Sequence, residues 1–451
     1  RVMSRPFYRI TSIGKRLFLL QKGVIMNINA PRGTNDFYGE YMDRLLDLEN
    51  QMRCLCDDYG FSEIRTPMFE RLELFQRGVG ETTDIVQKEM YTFFDKSRDR
   101  REFALKPEGT AGVVRAYLEG KMYADVQPTK LYYITPAFRY EKPQAGRFRQ
   151  FHQFGVELFG AQDPSADAEI ISLGYQMLKR LNIPSVKLNI NSLGNRETRK
   201  HYNALLMEFL ENHKEDLCET CQERMYKNPL RVLDCKNESC QTIMKDAPLM
   251  IDHLDDADKE HFEGVKELLD SMNIPYEVNP WIVRGLDYYT RTVFEFISED
   301  IGAQGTVCGG GRYDYLIEEM GGTSTPAIGF GAGIERLLLT IENTQGKPEA
   351  KEKMDLYIGY MGQSAKSKVM AMTYALREQH IRCTTDLLGK SVRAQMKYAN
   401  KINALYSLII GEDEIKTNKI TIKNMKTGEQ DELTMEEVAS YIQIQQGGKQ
   451  A

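Results

Sequence analysis

A chain of 451 residues, with 59 Lys and Arg against 65 Asp and Glu and 41% apolar residues, has an ordinary globular composition and the length of two or three domains. That balance excludes disordered, collagenous and disulfide-stapled classes, and Leu17 to Leu20 falls far short of the roughly 18 to 20 apolar residues of a membrane span. The net charge of −6 describes a whole surface, so it leaves a basic patch for nucleic acid open.

Residues 1–25 hold six basic side chains and no acid, leaving 53 basic against 65 acidic residues beyond them. An acid-free leader has the make-up of a transit peptide, but it starts without Met and precedes Met26-Asn27-Ile28, which reads as a natural start. It is expected to be a tag or upstream stretch outside the fold. Eight cysteines are too sparse for a disulfide scaffold and no secretory pattern is evident, so a reducing cytoplasm is expected.

Leu45, Leu48, Met52 and Leu55 recur at helical spacing over 41–59 before Gly60, predicting an amphipathic helix that faces a core or a second subunit. Phe61 to Pro67 reads as an edge or interface strand, because proline cannot donate to a central ladder. Leu131 to Phe159 holds two strand-like runs around a loop rich in Gly, Pro and Arg. Residues 195–280 are charged, contain His201, His213, His253 and His261, and read as a mostly helical insertion. Within it, Cys218-x2-Cys221 and Cys235-x4-Cys240 stand thirteen residues apart. Two such pairs suit a structural zinc, whereas the loose second spacer suits reduced, buried thiols, and both readings stay open. Strand signals return over Trp281 to Ile297, glycine concentrates from Gly302 to Gly333, and a helix is predicted near Ile334. A polar linker spans 341–353, and short strands alternate with helices over 354–451, the pattern of a small α/β domain.

Common nucleotide motifs fail. Gly389-Lys390-Ser391 has Thr384 where a P-loop needs its first glycine, and the third glycine of Gly329-x-Gly331-x-Gly333 arrives one residue too early for a dinucleotide fingerprint. Read as a strand, 151–159 turns Phe154, Val156 and Leu158 to one face and Gln153, Gly155 and Glu157 to the other. A polar floor results, with an amide and a carboxylate suited to an amino group or an imidazole, and with Gly155 leaving room for a ligand. A solvated sheet face would show the same alternation. Residues 139–149 carry Arg139, Lys142, Arg147 and Arg149 against Glu141, an arrangement suited to phosphate or to a solvated hairpin tip. Between Asp386 and Glu412 no acid occurs, and Lys390, Arg393, Lys397 and Lys401 fall on one helical face. So pure a basic stripe suits a phosphate backbone, although solvated faces are common.

Taken together, these segments resemble class II aminoacyl-tRNA synthetases. The Pro67 segment is similar to motif 1, Phe138-Arg139-x-Glu141 to motif 2, and Gly329-x-Gly331-x-Gly333-x-Glu335-Arg336 to motif 3. Within that class, Val283-Arg284-Gly285-Leu286-Asp287-Tyr288-Tyr289 and Gly309-Gly310-Gly311-Arg312-Tyr313-Asp314 resemble the bacterial histidyl-tRNA synthetase family. Pro31-Arg32-Gly33-Thr34-Asn35-Asp36 and Lys106-Pro107-Glu108-Gly109-Thr110 agree.

The resemblance implies an α+β fold: an antiparallel class II sheet flanked by helices over 26–340, the inserted helical domain, and an anticodon-binding domain over 354–451. It implies histidine activation by ATP, with Mg2+ as part of that substrate and no tightly bound cofactor or catalytic metal, followed by transfer to tRNA(His) by a homodimer joined through motif 1. Glu108, Gly109 and Thr110 would hold the histidine α-amino group with Gln153 beside them. Glu157 and Tyr289 would bond the imidazole, and Tyr288 would line the pocket. Arg139 would meet the α-phosphate, Arg336 the γ-phosphate, and Glu141 the adenine or its neighbours. Arg284 would stand near the α-phosphate and the histidine, doing work other class II enzymes give to a metal ion. Gln144, Arg147 and Arg149 would reach the tRNA acceptor end, and the stripe would serve the anticodon domain. No general base for the transfer step is implied. Two rivals are a regulatory paralogue, expected to lack the C-terminal domain and to degrade Arg284, and an RNA-binding module with a vestigial site, expected to lose Glu108, Arg139 or Arg284. This chain keeps all of them.

Overall fold

The computed structural model describes residues 28–80, 83, 85–183, 186–233, 235–282, 287–298, 305–346 and 354–447. The leader 1–25 and Arg284 lie outside the described residues. Contacts divide the chain into two units, Arg1–Lys347 and Pro348–Ala451.

In the first unit the strands are β1 (Ser62–Glu63), β2 (Phe69–Arg71), β3 (Thr92–Phe94), β4 (Glu102–Leu105), β5 (Thr129–Phe138), β6 (Gln150–Phe159), β7 (Val186–Ser192), β8 (Glu277–Val278), β9 (Thr290–Ser298), β10 (Thr306–Arg312) and β11 (Ala327–Gly333). Eight form one sheet in the order β1-β5-β6-β11-β10-β9-β7-β8. Its six central strands are antiparallel, and the short β1 and β8 join the two edges in parallel. β1 lies at an edge of the sheet, as expected for the Phe61 to Pro67 run, although Pro67 itself falls beyond the strand. β2, β4 and β3 make a separate small antiparallel sheet.

β6 sorts its side chains as the alternation requires. Phe154, Val156 and Leu158 enter the core beneath the large sheet. There they meet Leu45, Leu48, Met52 and Leu55 of the helix Glu40–Asp58, together with residues of the helices Pro164–Arg180, Asp256–Ser271 and Ile334–Gln345. Each large apolar side chain buried there contributes roughly 1.5–3 kcal/mol. Gln153, Gly155 and Glu157 face the opposite side, where the helix Thr110–Glu119 and a group of tyrosines pack.

Three boundaries differ from expectation. The insertion's own core closes at Leu254, because the helix Asp256–Ser271 turns Phe262, Val265 and Leu269 into the main core instead. Among the described residues the strand expected from Trp281 is found over Thr290–Ser298; Trp281 and Ile282 lie outside it, and the carbonyls of Pro280 and Ile282 accept from the Asn191 amide at 3.1 and 3.3 Å. The expected linker begins inside the helix Ile334–Gln345, held by Gln345 Nε2 donating to the carbonyls of Leu181 and Asn182 at 2.7 and 3.0 Å.

The second unit has five strands, β12 (Met354–Tyr360), β13 (Cys383–Thr385), β14 (Ala404–Ile410), β15 (Lys419–Asn424) and β16 (Gln430–Thr434), ordered β13-β12-β14-β15-β16. The first three run parallel, as helical crossovers demand, and the rest antiparallel. Among the described residues no helix is long and apolar enough to cross a membrane.

Candidate active site

A cleft of about 270 Å³ opens over the polar face of β6, β10 and β11. At its base lies Glu157, 1% exposed. Thr110 Oγ1 donates to Glu157 Oε1 at 2.7 Å and the Tyr133 hydroxyl donates to the same oxygen at 3.3 Å. Tyr313 donates to Oε2 through a short hydrogen bond. Burial dominates over these donors and, with the charge of Glu108, pushes the carboxyl up to about 8. Glu157 therefore carries its proton through much of the neutral range.

Backbone spacing makes this possible. Gly329 pairs with Glu157 across the ladder, and a Cβ there would lie 2.0 Å from Oε2. A Cβ on Gly331 would lie 2.3 Å from the Gln153 amide nitrogen. Both glycines thus clear space for the polar floor. Gly155 departs from expectation: the room it leaves is taken by Tyr133, its ladder partner on β5, whose hydroxyl would be 2.3 Å from a Cβ at 155. Tyr133 and Tyr313 are the site residues missed in the sequence. The signal for Tyr133 lies in strand register, opposite Gly155, which no local pattern displays.

Glu108 is buried at the N-terminus of the helix Thr110–Glu119 and accepts from the backbone N–H groups of Thr110 and Ala111 at 2.6 and 2.9 Å. Burial raises its pKa despite those bonds and Arg139. Gln153 Oε1 accepts from the Gly109 N–H at 3.0 Å. The Glu108-Gly109-Thr110 turn, Gln153 and Glu157 are therefore one hydrogen-bonded unit. Tyr288 and Tyr289, with ring centroids 4.7 Å apart, close one side of the cleft.

The other end is cationic. Arg139 donates from Nε to the Pro107 carbonyl at 2.9 Å and lies over the Phe151 ring. Arg147 pairs with Glu141 at 3.2 Å, and Gln144 bridges Arg147 through backbone bonds at 3.1 and 2.9 Å. Arg149 stacks on Tyr140 at 3.9 Å. Arg336, opening its helix beside the cleft, is held below its usual pKa by burial and by Arg147, with Glu141 opposing. Glu335, also in the cleft lining, accepts from both the backbone N–H of His152 at 2.9 Å and its ring Nδ1 at 2.8 Å. Arginines crowded together at a cleft wall favour a bound anion.

A family model described as histidyl-tRNA synthetase matches residues 33–337. The chain belongs to the histidyl-tRNA synthetase family. A second model, described as an anticodon-binding domain, matches residues 355–445. The histidine–tRNA ligase of Clostridium botulinum strain Hall is 52% identical over 93% of this chain and 100% of its own length. That of Caldanaerobacter subterraneus is 54% identical over 92% of this chain and 100% of its own. The apo crystal structure of Staphylococcus aureus histidyl-tRNA synthetase aligns with a TM-score of 0.79 at 39% identity, over 92% of this chain and 99% of that one. The class II α+β fold and the C-terminal anticodon-binding domain agree with this family.

In that C-terminal domain the basic stripe is shorter than expected. The helix is Val392–Lys401 with Ser391 as its N-cap, so Arg393, Lys397 and Lys401 share an exposed helical face while Lys390 precedes it. Asp386 fixes that turn by accepting from the backbone N–H groups of Leu388 and Lys390 at 3.2 and 2.6 Å.

Proposed function

We infer that this chain charges tRNA with histidine: the carboxylate of L-histidine attacks the α-phosphorus of ATP, pyrophosphate leaves, and the terminal ribose hydroxyl of tRNA(His) then displaces AMP from the adenylate. The observation that supports the amino-acid choice is the buried carboxyl of Glu157, fenced by Thr110, Tyr133 and Tyr313. An imidazole offers it a hydrogen-bonding partner of ordinary pKa near 6.5, with Tyr289 beside the second ring nitrogen. An aliphatic side chain offers the carboxyl no hydrogen-bonding partner on the ligand side. Glu108, Gly109, Thr110 and Gln153 receive the α-amino group.

Arg139 and Arg336 receive the α- and γ-phosphates, Glu141 the adenine end, and Arg284 stabilises charge developing at the α-phosphate. Mg2+ would enter with ATP as part of that substrate. ATP–pyrophosphate exchange tests this reading: histidine is expected to exceed every other amino acid by roughly 10³-fold or more. Arg284→Ala is expected to lose at least about 10²-fold in exchange with an unchanged melting temperature. Comparable exchange with a second amino acid would overturn the specificity, and intact exchange in the variant would overturn the role of Arg284.

Gln144, Arg147 and Arg149 are assigned to the acceptor end of the tRNA, and Lys390, Arg393, Lys397 and Lys401 to its anticodon half. Arg393→Glu with Lys397→Glu is expected to raise KM for tRNA at least about tenfold and to flatten its salt dependence by about two units of logarithmic slope. Pyrophosphate exchange stays unchanged. A parental KM removes the stripe from the interface.

The reading also makes the protein a cytoplasmic homodimer. Support for the dimer comes from exposed Phe69, Phe93 and Phe94 on the small sheet beside Pro67. A monomer mass by sedimentation equilibrium contradicts it. The cytoplasm is where charged tRNA is used, and all eight cysteines stand without a disulfide.

A further inference from the structure

The four clustered cysteines lie in the insertion, away from the cleft. Cys218 precedes the helix Glu219–Lys227 and Cys221 sits in its first turn. Cys235 follows the short helix Leu230–Leu233, and Cys240 lies in the first turn of the helix Glu238–Met244. The loose spacer between the second pair is the turn that starts this last helix, where Asn237 Oδ1 accepts from the Ser239 N–H at 3.0 Å. Two helix starts and a loop thus aim four sulfurs at one point.

All four Sγ atoms lie within 4.8 Å of one another, and Cys218 and Cys235 are 3.9 Å apart. A tetrahedral ion with metal–sulfur bonds of about 2.3 Å needs sulfurs about 3.8 Å apart, so small side-chain rotations complete the shell. Disulfide bonding requires about 2.05 Å, roughly half the observed spacing. Backbone N–H groups already point at two of the sulfurs, Cys218 N–H at Cys240 Sγ (3.3 Å) and Asn237 N–H at Cys235 Sγ (3.5 Å). Such donors favour thiolates and are the outer-shell support a metal site uses. Thiols acting only as small hydrophobes would pack against carbon, not converge on each other. Among the described residues this is the one place where metal-ligating side chains gather so closely.

We propose that Cys218, Cys221, Cys235 and Cys240 bind one structural Zn2+ as four thiolates, their protons passing to solvent. A shell of four sulfurs leaves no open position, so the ion stabilises and performs no chemistry. A multi-iron cluster would hold its sulfurs farther apart than this site does. The ion has a consequence for the cleft, which rests on the histidine reading. Between its second and third ligands lie Asn228 and Arg231, which donate to Asp287 Oδ1 at 3.0 and 2.8 Å. Asp287 immediately precedes Tyr288 and Tyr289. The metal-tied loop therefore braces the wall of the amino-acid pocket.

Elemental analysis of the full chain, purified without a metal-affinity column and dialysed, is expected to give about one zinc per chain, falling below about a tenth in Cys221→Ser with Cys240→Ser. Exchange of Co2+ into the wild-type protein keeps the test independent of whether that variant folds. It is expected to give thiolate-to-cobalt charge-transfer absorption in the near ultraviolet and intense tetrahedral bands in the visible. Zinc below about a tenth per chain without those cobalt bands overturns the site, as does stoichiometric iron. Asn228→Ala with Arg231→Ala is expected to raise KM for histidine severalfold with zinc retained. An unchanged KM overturns the brace and leaves the metal site standing.

Discussion

Glu157→Gln is expected to lower kcat/KM for histidine-dependent pyrophosphate exchange by roughly 10³- to 10⁴-fold, because the amide cannot share a proton with imidazole as the carboxyl does. The same change is expected to stabilise the ligand-free protein at alkaline pH. In the native state Glu157 keeps its proton up to about 8, against an ordinary carboxyl value of 4.5. Between those values the native state binds more protons than the unfolded chain, so stability falls as pH rises through that window. Glutamine removes this loss, which reaches at most about 5 kcal/mol above pH 8. Scanning calorimetry is expected to show the variant melting a few degrees above the parent at pH 9 and with no such advantage at pH 4.5. A variant that melts lower at pH 9 would show that Glu157 ionises without cost in the folded chain. Loss of activity with gain of stability is what a site built for binding predicts.

Arg312→Ala is expected to cost about 3–5 kcal/mol, the second large effect. Arg312 and Asp167 are both fully buried; Arg312 Nε donates to the two Asp167 oxygens at 3.2 and 3.1 Å, and Nη1 donates to the Ala161 carbonyl at 3.0 Å and to Asp314 at 3.1 Å. His261 Nε2 lies 3.3 Å from Asp167. Burial opposes ionisation of Asp167, but Arg312 and His261 outweigh it and hold the carboxyl at about 2. Alanine strands that charge. The pair's contribution is present above pH 3.8 and is lost as pH falls towards 2, so chemical denaturation is expected to show the deficit of the variant shrinking in acid. Asp167→Leu combined with Arg312→Met is expected to recover part of the loss, since removing both charges leaves neither unpaired. Equal deficits at pH 7 and pH 2 would assign the effect to packing instead. Because Tyr313 follows Arg312 and bonds Glu157, the variant is also expected to bind histidine poorly.

Legibility in the sequence followed the range of the interaction. The helix Glu40–Asp58, the ten-residue pair β5 and β6, and the division of β6 into an apolar and a polar face were local patterns, and the structure repeats them. Gln153 and Glu157 could be picked out as a polar floor for the same reason. Tyr133 could not, because its place at Glu157 depends on which residue of β5 faces Gly155. Periodicity alone puts Lys390 on a helical face, because it carries no information about where the N-cap falls; the Asp386 turn decides that. Cysteine spacing alone left zinc undecided, since convergence of the two pairs depends on how three short helices fold together.

The clearance at Gly329 bears on how this pocket can change over time. With a would-be Cβ 2.0 Å from Glu157 Oε2, positions 157 and 329 occupy a single shared volume on adjacent strands. A side chain gained at 329 on β11 must be matched by a smaller one at 157 on β6. A change of amino-acid preference that enlarges residue 329 therefore needs a paired replacement on β6, which shields that part of the pocket from drift by single substitutions at 329.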